Sequence, residues 1–162
     1  MAPPLSSRDP NMADIDAMRD ISARHGDKPD ALLEILHEIQ ERLGFVPSSA
    51  PEFLAKSLNI SRAEAHGVIS FYHDFRHEKP GRHVVKLCRA EACQSMGCRS
   101  LENHAKSRLK IGFGETTVDR RITLDAVYCF GNCALSPAVM IDGELHGRMS
   151  IDKLDGLLAM LE

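Results

Sequence analysis

Two pairs of cysteines, Cys88-x4-Cys93 and Cys129-x3-Cys133, carry the densest chemistry in the sequence. Each pair follows a largely apolar stretch: Val84-Val85-Lys86-Leu87 before the first, Ile122-Thr123-Leu124-Asp125-Ala126-Val127-Tyr128 before the second. Four thiolates delivered from two loops at strand ends are what a [2Fe–2S] cluster needs, two for each iron. Such a cluster carries a net charge of about −2 when oxidised and about −3 when reduced, so its loops must turn backbone N–H groups toward the sulfurs. Gly131, between Cys129 and Cys133, and Gly97, after Cys93, suit that need. Arg89 follows Cys88 directly and either offsets cluster charge or simply faces solvent.

Other uses of four thiols fit less well. Structural zinc favours C-x2-C knuckles, and x4 with x3 spacing departs from them. Thioredoxin-type redox chemistry also rests on C-x2-C, at a helix start. Disulfides are disfavoured because five cysteines, an odd number, and no apolar secretory leader point to a reducing compartment. Cys98 shares a helical stripe with Leu101, Ala105 and Leu109 and reads as a buried core thiol, with a spare-ligand role as the alternative. The eight histidines are scattered; His73 and His77 stand four apart near the end of a helical region and read as surface residues. No nucleophile motif, P-loop or G-x-G-x-x-G fingerprint is present. The chemistry expected is electron relay, with no substrate-transforming site.

The elements that position these thiols fall in two parts. Residues 1–27 read as a Pro- and Ser-rich, disordered start followed by a short helix with Met12, Ile15, Met18 and Ile21 at near-helical spacing. Residues 28–80 read as a helical unit. Its first helix carries Leu32, Leu36, Ile39 and Leu43 and stops at Gly44, and capping boxes at Ser49–Glu52 and Ser61–Glu64 open the next two. At Pro80-Gly81 the period changes from 3.6 to 2. Residues 81–162 then read as strand, helix, three strands and helix. Asp142-Gly143 makes a hairpin turn and Ser150 caps a last helix carrying Leu154, Leu157, Leu158 and Leu161. That β-α-β-β-β-α order resembles a thioredoxin-like fold, giving an α+β class overall.

Composition sets the remaining bounds. With 162 residues, 43% of them hydrophobic, the chain can bury one core or two small ones. A net charge of −3 and no basic run argue against nucleic-acid binding. No stretch approaches the roughly 20 apolar residues of a membrane span, so a cytoplasmic protein without direct membrane insertion is expected.

The sequence resembles the thioredoxin-like [2Fe–2S] subunits that accompany flavoprotein NAD(H)-oxidising modules. These are the small iron–sulfur subunit of respiratory complex I, its relatives in NAD-reducing hydrogenases and the gamma subunit of NAD-dependent formate dehydrogenases. The resemblance rests on Leu33, Leu36, His37, Ile39 and Gln40 followed by Gly44-Phe45-Val46-Pro47, and on Gly67-Val68-Ile69-Ser70-Phe71-Tyr72 with Phe75. It continues through Cys88, Cys93 and Gly97 to Cys129-Phe130-Gly131-Asn132-Cys133 and Pro137. It implies that Cys88, Cys93, Cys129 and Cys133 ligate a [2Fe–2S] cluster and that Ser136-Pro137 is cis. It also implies a helical N-terminal unit, a thioredoxin-like ferredoxin domain and no catalytic residue of the chain's own. The run Cys88-Arg89-Ala90-Glu91-Ala92-Cys93-Gln94-Ser95-Met96-Gly97 looks most like the formate dehydrogenase branch. That branch implies a partner subunit binding flavin mononucleotide (FMN) and NAD, and another holding a molybdenum cofactor. Phe71, Tyr72 and Phe75 then serve either as part of the docking patch or as core.

Overall fold

The computed structural model describes residues 12–161, and the first ten residues, expected from composition to be disordered, lie outside them. The described chain forms two compact units, one ending at Lys79 and the other beginning at Pro80.

The first unit is helical: α1 (Met12–Arg24), a 3-10 turn (Pro29–Ala31), α2 (Leu32–Leu43), α3 (Ala50–Ser57) and α4 (Arg62–Phe71). Leu32, Ile35, Leu36 and Ile39 recur at helical spacing and are all buried, making α2 the spine of the unit. Met18 and Ile21 of α1 join the same core, while Met12 is exposed. Gly44 ends α2 at φ 85°, donating its N–H to Gln40 O at 2.8 Å. The box at Ser61 forms as expected: Glu64 N donates to Ser61 Oγ at 3.1 Å, and Ser61 N to Glu64 Oε2 at 2.8 Å. The box at Ser49 does not. Ser49 already lies in the right-handed helical region, not the extended conformation of an N-cap, and its buried hydroxyl has no partner.

The second unit is a five-stranded sheet with helices. Its elements are β1 (His83–Cys88), α5 (Glu91–Ser95), α6 (Cys98–Leu109), β2 (Glu115–Thr116), β3 (Ile122–Val127), β4 (Val139–Ile141), β5 (Glu144–His146) and α7 (Ile151–Met160). The sheet order is β2-β3-β1-β4-β5, with β1 and β3 parallel and the other pairs antiparallel. The helical crossover from β1 to β3 is what allows the parallel pairing. Every second residue of the central strands (Val85, Leu87, Ile122, Leu124, Val139, Ile141) packs with Leu101 and Ala105 of α6 and Leu154 and Leu158 of α7. Asp142 and Gly143, both at positive φ, turn β4 into β5, and Ser150 caps α7 by accepting from Lys153 N. Two features differ from the expected order. The single helix after β1 is two, broken at Gly97, and β2 is an additional strand too short for alternation to reveal.

Candidate metal centre

Parallel pairing places both cysteine pairs at the C-terminal ends of the adjacent strands β1 and β3. Cys88 ends β1 and pairs in register with Val127, the last residue of β3, so the loop of Cys129 starts beside it. Two backbone bonds fix the junction: Arg89 N donates to Val127 O at 2.7 Å and Cys88 N to Ala138 O at 3.1 Å. Cys93 returns on α5 and is buried with Cys88, Cys98 and Ala138. Cys133 opens a 3-10 turn (Cys133–Leu135) that leads into the cis Ser136–Pro137 bond, the geometry expected there.

The four thiols are therefore presented as one buried pair and one exposed pair. Cys129 and Cys133 stand 3.6 Å apart, sulfur to sulfur. Cys129 adopts φ 106°, a region that costs a side-chain-bearing residue about 1–3 kcal/mol and is met chiefly at functional sites. Gly131, at φ 81°, donates its N–H to Cys129 Sγ at 3.2 Å, the role expected for it. Gly97 does not share that role. Its N–H goes to Gln94 O at 3.1 Å, and its positive φ serves the break between α5 and α6. Cys93 Sγ donates to Ser136 Oγ at 3.6 Å, and Ser136 donates in turn to Cys133 O at 2.8 Å, so one hydroxyl links the two pairs.

The Cys133 thiol is pushed up by the hydrogen bond and charge of Cys129, then by burial, then by Cys93 and Cys88. Four thiolates here repel one another, and a cationic iron–sulfide core is the kind of group that offsets the repulsion. A closed zinc site needs four ligands on one point, whereas a two-iron cluster takes two thiolates at each iron. The paired layout fits the latter.

Cys98 is buried, and its thiol is raised first by that burial, then by Cys93, Cys88 and Glu102, with Arg89 opposing. Arg89 does not simply face solvent: its Nε bonds Glu102 Oε2 at 2.9 Å. Ser136 and Glu102 escape a sequence reading because each meets the thiols only through the fold. The histidines pair elsewhere, as His25 with Glu38, His83 with Asp142 and His104 with Asp155, while His73 and His77 lie exposed beyond the end of α4.

A sheet with a parallel β1/β3 pair, a terminal β4–β5 hairpin and α7, and thiols gathered past the C-terminal ends of β1 and β3, defines a thioredoxin-like protein with a cysteine-rich site. Residues 18–162 match the thioredoxin-like [2Fe-2S] ferredoxin family, and the chain belongs to that family. The [2Fe–2S] cluster expected from the cysteines is accordingly this family's cofactor. The chain is 36% identical over 132 residues to a subunit of the NADH-quinone oxidoreductase of Pseudomonas aeruginosa, covering 82% of this chain and 78% of the relative. It is 31% identical over 132 residues to the HndA subunit of the NADP-reducing hydrogenase of Solidesulfovibrio fructosivorans, covering 82% and 77%. Among solved structures, an NAD+-reducing [NiFe]-hydrogenase chain is similar with a TM-score of 0.68 and 25% identity. That match covers 81% of this chain and 22% of the hydrogenase chain.

No helix among the described residues is long and apolar enough to cross a membrane.

Proposed function

We propose that this chain is the electron-transfer [2Fe–2S] subunit of an NAD-linked oxidoreductase complex, and specifically of an NAD-dependent formate dehydrogenase. Buried Cys88 and Cys93 and exposed Cys129 and Cys133 would supply the four thiolates, two for each iron. When bound, the cluster takes up and releases one electron at a time. The observation that carries the reading is the asymmetry of the thiols: Cys88 and Cys93 are sealed in the protein, while Cys129 and Cys133 reach the surface beside exposed Tyr128 and Leu135. A buried pair anchors and excludes water; an exposed pair lets a partner's cofactor approach.

In this reading formate is oxidised to carbon dioxide on a molybdenum-containing subunit, and its two electrons reach NAD+ through the FMN of a flavin- and NAD-binding subunit. The chain itself does neither step. Phe71 and Tyr72 of the helical unit support a docking role. Phe71 is 72% and Tyr72 43% exposed, whereas Phe75 is 3% exposed and belongs to the core. The formate branch rests on the run from Cys88 to Gly97. The names of the relatives favour a second reading, the corresponding subunit of complex I or of a pyridine-nucleotide-linked hydrogenase.

Mild anaerobic capture of the complex from its source, followed by formate and NAD+, distinguishes the two. Formate-dependent NADH formation supports the first. Silence with formate, together with NADH-driven quinone reduction or hydrogen-driven NAD+ reduction, moves the chain to the sister complex.

A further inference from the structure

Arg89, Glu102 and Lys106 form one linked group of charges, and Arg89 and Glu102 line a cavity with Cys98, the neighbour of Cys88 and Cys93 in the buried thiol cluster. Arg89, the residue after Cys88, bonds Glu102 Oε2 through Nε at 2.9 Å. The other oxygen of that carboxylate accepts from Lys106 Nζ at 2.7 Å. Both cations also stand over the Phe113 ring, 5.2 Å from its centroid for the Arg89 guanidinium carbon and 4.3 Å for Lys106 Nζ. Glu102 is only 9% exposed. It lies four residues, about one helical turn, after Cys98, which packs directly with Cys88 and Cys93. The Glu102 side chain is 12% exposed and those of Arg89 and Lys106 37% and 36%, so salt screens this group less than a fully exposed pair.

We infer that Glu102 is a positioning residue that fixes Arg89 beside Cys88, and that the Arg89–Glu102 pair sets the reduction potential of the cluster. This rests on the assignment of Cys88, Cys93, Cys129 and Cys133 as ligands. One-electron reduction of such a cluster would take one ferric iron to ferrous and make the centre's net charge one unit more negative. A fixed cation nearby favours the reduced form and a fixed anion opposes it. Arg89 and Lys106 therefore raise the potential, and Glu102 lowers it while holding the other two in place. A carboxylate kept merely for packing between α6 and the β1 loop would give no such signed dependence.

The test uses the cluster-loaded chain. Iron, acid-labile sulfide and visible absorption establish loading, and a redox titration followed by electron paramagnetic resonance gives the midpoint. Arg89→Gln is expected to shift the midpoint down, Glu102→Gln up, and the double variant back toward wild type. Arg89→Lys keeps the charge and is expected to recover most of the Arg89→Gln shift. Intact clusters with one common midpoint across these variants would overturn the inference, as would shifts of the same sign for Arg89→Gln and Glu102→Gln. If Glu102→Gln does not load, Lys106→Gln serves in its place: a downward shift supports the inference, and an unchanged midpoint overturns it. A wild-type chain that loads no [2Fe–2S] cluster overturns the ligand assignment, a failure distinct from an intact cluster indifferent to these charges.

Discussion

Gly147 lies so close to Leu135 that a Cβ on the glycine would stand 2.7 Å from the leucine Cβ and 2.9 Å from its carbonyl oxygen. The neighbouring backbone explains the approach: Arg148 N donates to Leu135 O at 2.6 Å and Met149 N to Pro137 O at 3.0 Å. The segment after β5 thus cradles the loop that carries Cys133. Gly147→Ala is expected to displace that loop, lowering stability by about 1–3 kcal/mol and speeding iron release to a chelator. Gly156→Ala is the matched control, because a Cβ there meets nothing within 4 Å in the middle of α7. It should stabilise by about 0.5–1 kcal/mol. Urea melts of both variants read the contrast, and equal midpoints would mean that the Leu135 loop yields freely.

The two serines with capping-box sequences should behave differently. Ser61→Ala removes a formed cap and is expected to cost about 0.5–2 kcal/mol. Ser49 makes no cap bond, and its buried hydroxyl is unpartnered. Ser49→Ala therefore sheds a desolvated polar group and should be neutral or stabilising. Thermal melts of the two variants suffice, and a larger loss at Ser49 than at Ser61 would reverse the assignment.

These serines also show what was legible in the sequence. The motif Ser-x-x-Glu states that a cap can form, but not whether the chain enters the helix extended, as at Ser61, or already coiled from Pro47, as at Ser49. Gly44 and Asp142-Gly143 are readable because their signals are local, a helix stop and a hairpin turn. The bond between Arg89 and Glu102 joins a loop to a helix, and the need for glycine at position 147 depends on a strand end meeting a distant turn. Neither leaves a periodic or spacing signature. The split among Phe71, Tyr72 and Phe75 was open for the same reason, because three aromatics around a helix end look alike until the chain's path decides which one turns inward.

Asp27 gives a pH test in the helical unit. Its Oδ1 accepts from Ser22 Oγ at 2.6 Å and from Ser57 Oγ at 2.7 Å, and these bonds hold its carboxyl below the usual aspartate value. A carboxyl depressed on folding stabilises above its unfolded pKa, near 3.9, and that contribution is lost as pH falls through the lower folded value. Asp27→Asn keeps an oxygen acceptor and tolerates the φ of 49° found there, but carries no charge. Wild type should exceed the variant in urea midpoint at about pH 7, and the gap should narrow toward about pH 3. A gap of constant size would show that the charge of Asp27 contributes nothing.

Substitution of the five cysteines one at a time separates ligand from bystander. Cys129→Ser and Cys133→Ser act at the exposed pair, where a serine oxygen can still approach iron. They are expected to retain a partly loaded, spectrally shifted centre with lower iron content than wild type. Cys88→Ser and Cys93→Ser act inside the packed cluster with Ala138, where the shorter C–O bond cannot reach as far, and should lose most iron. Cys98→Ser should keep wild-type iron and visible absorption, since Cys98 lies on the apolar face of α6 and its place is explained by packing. Its cost appears in stability, at about 1–3 kcal/mol for a hydroxyl left without a partner in an apolar site. Iron and sulfide per chain, with the visible spectrum, decide the matter. Bleaching of Cys98→Ser with retention of colour in Cys93→Ser would exchange their roles, because both thiols pack in the same buried cluster beside Cys88.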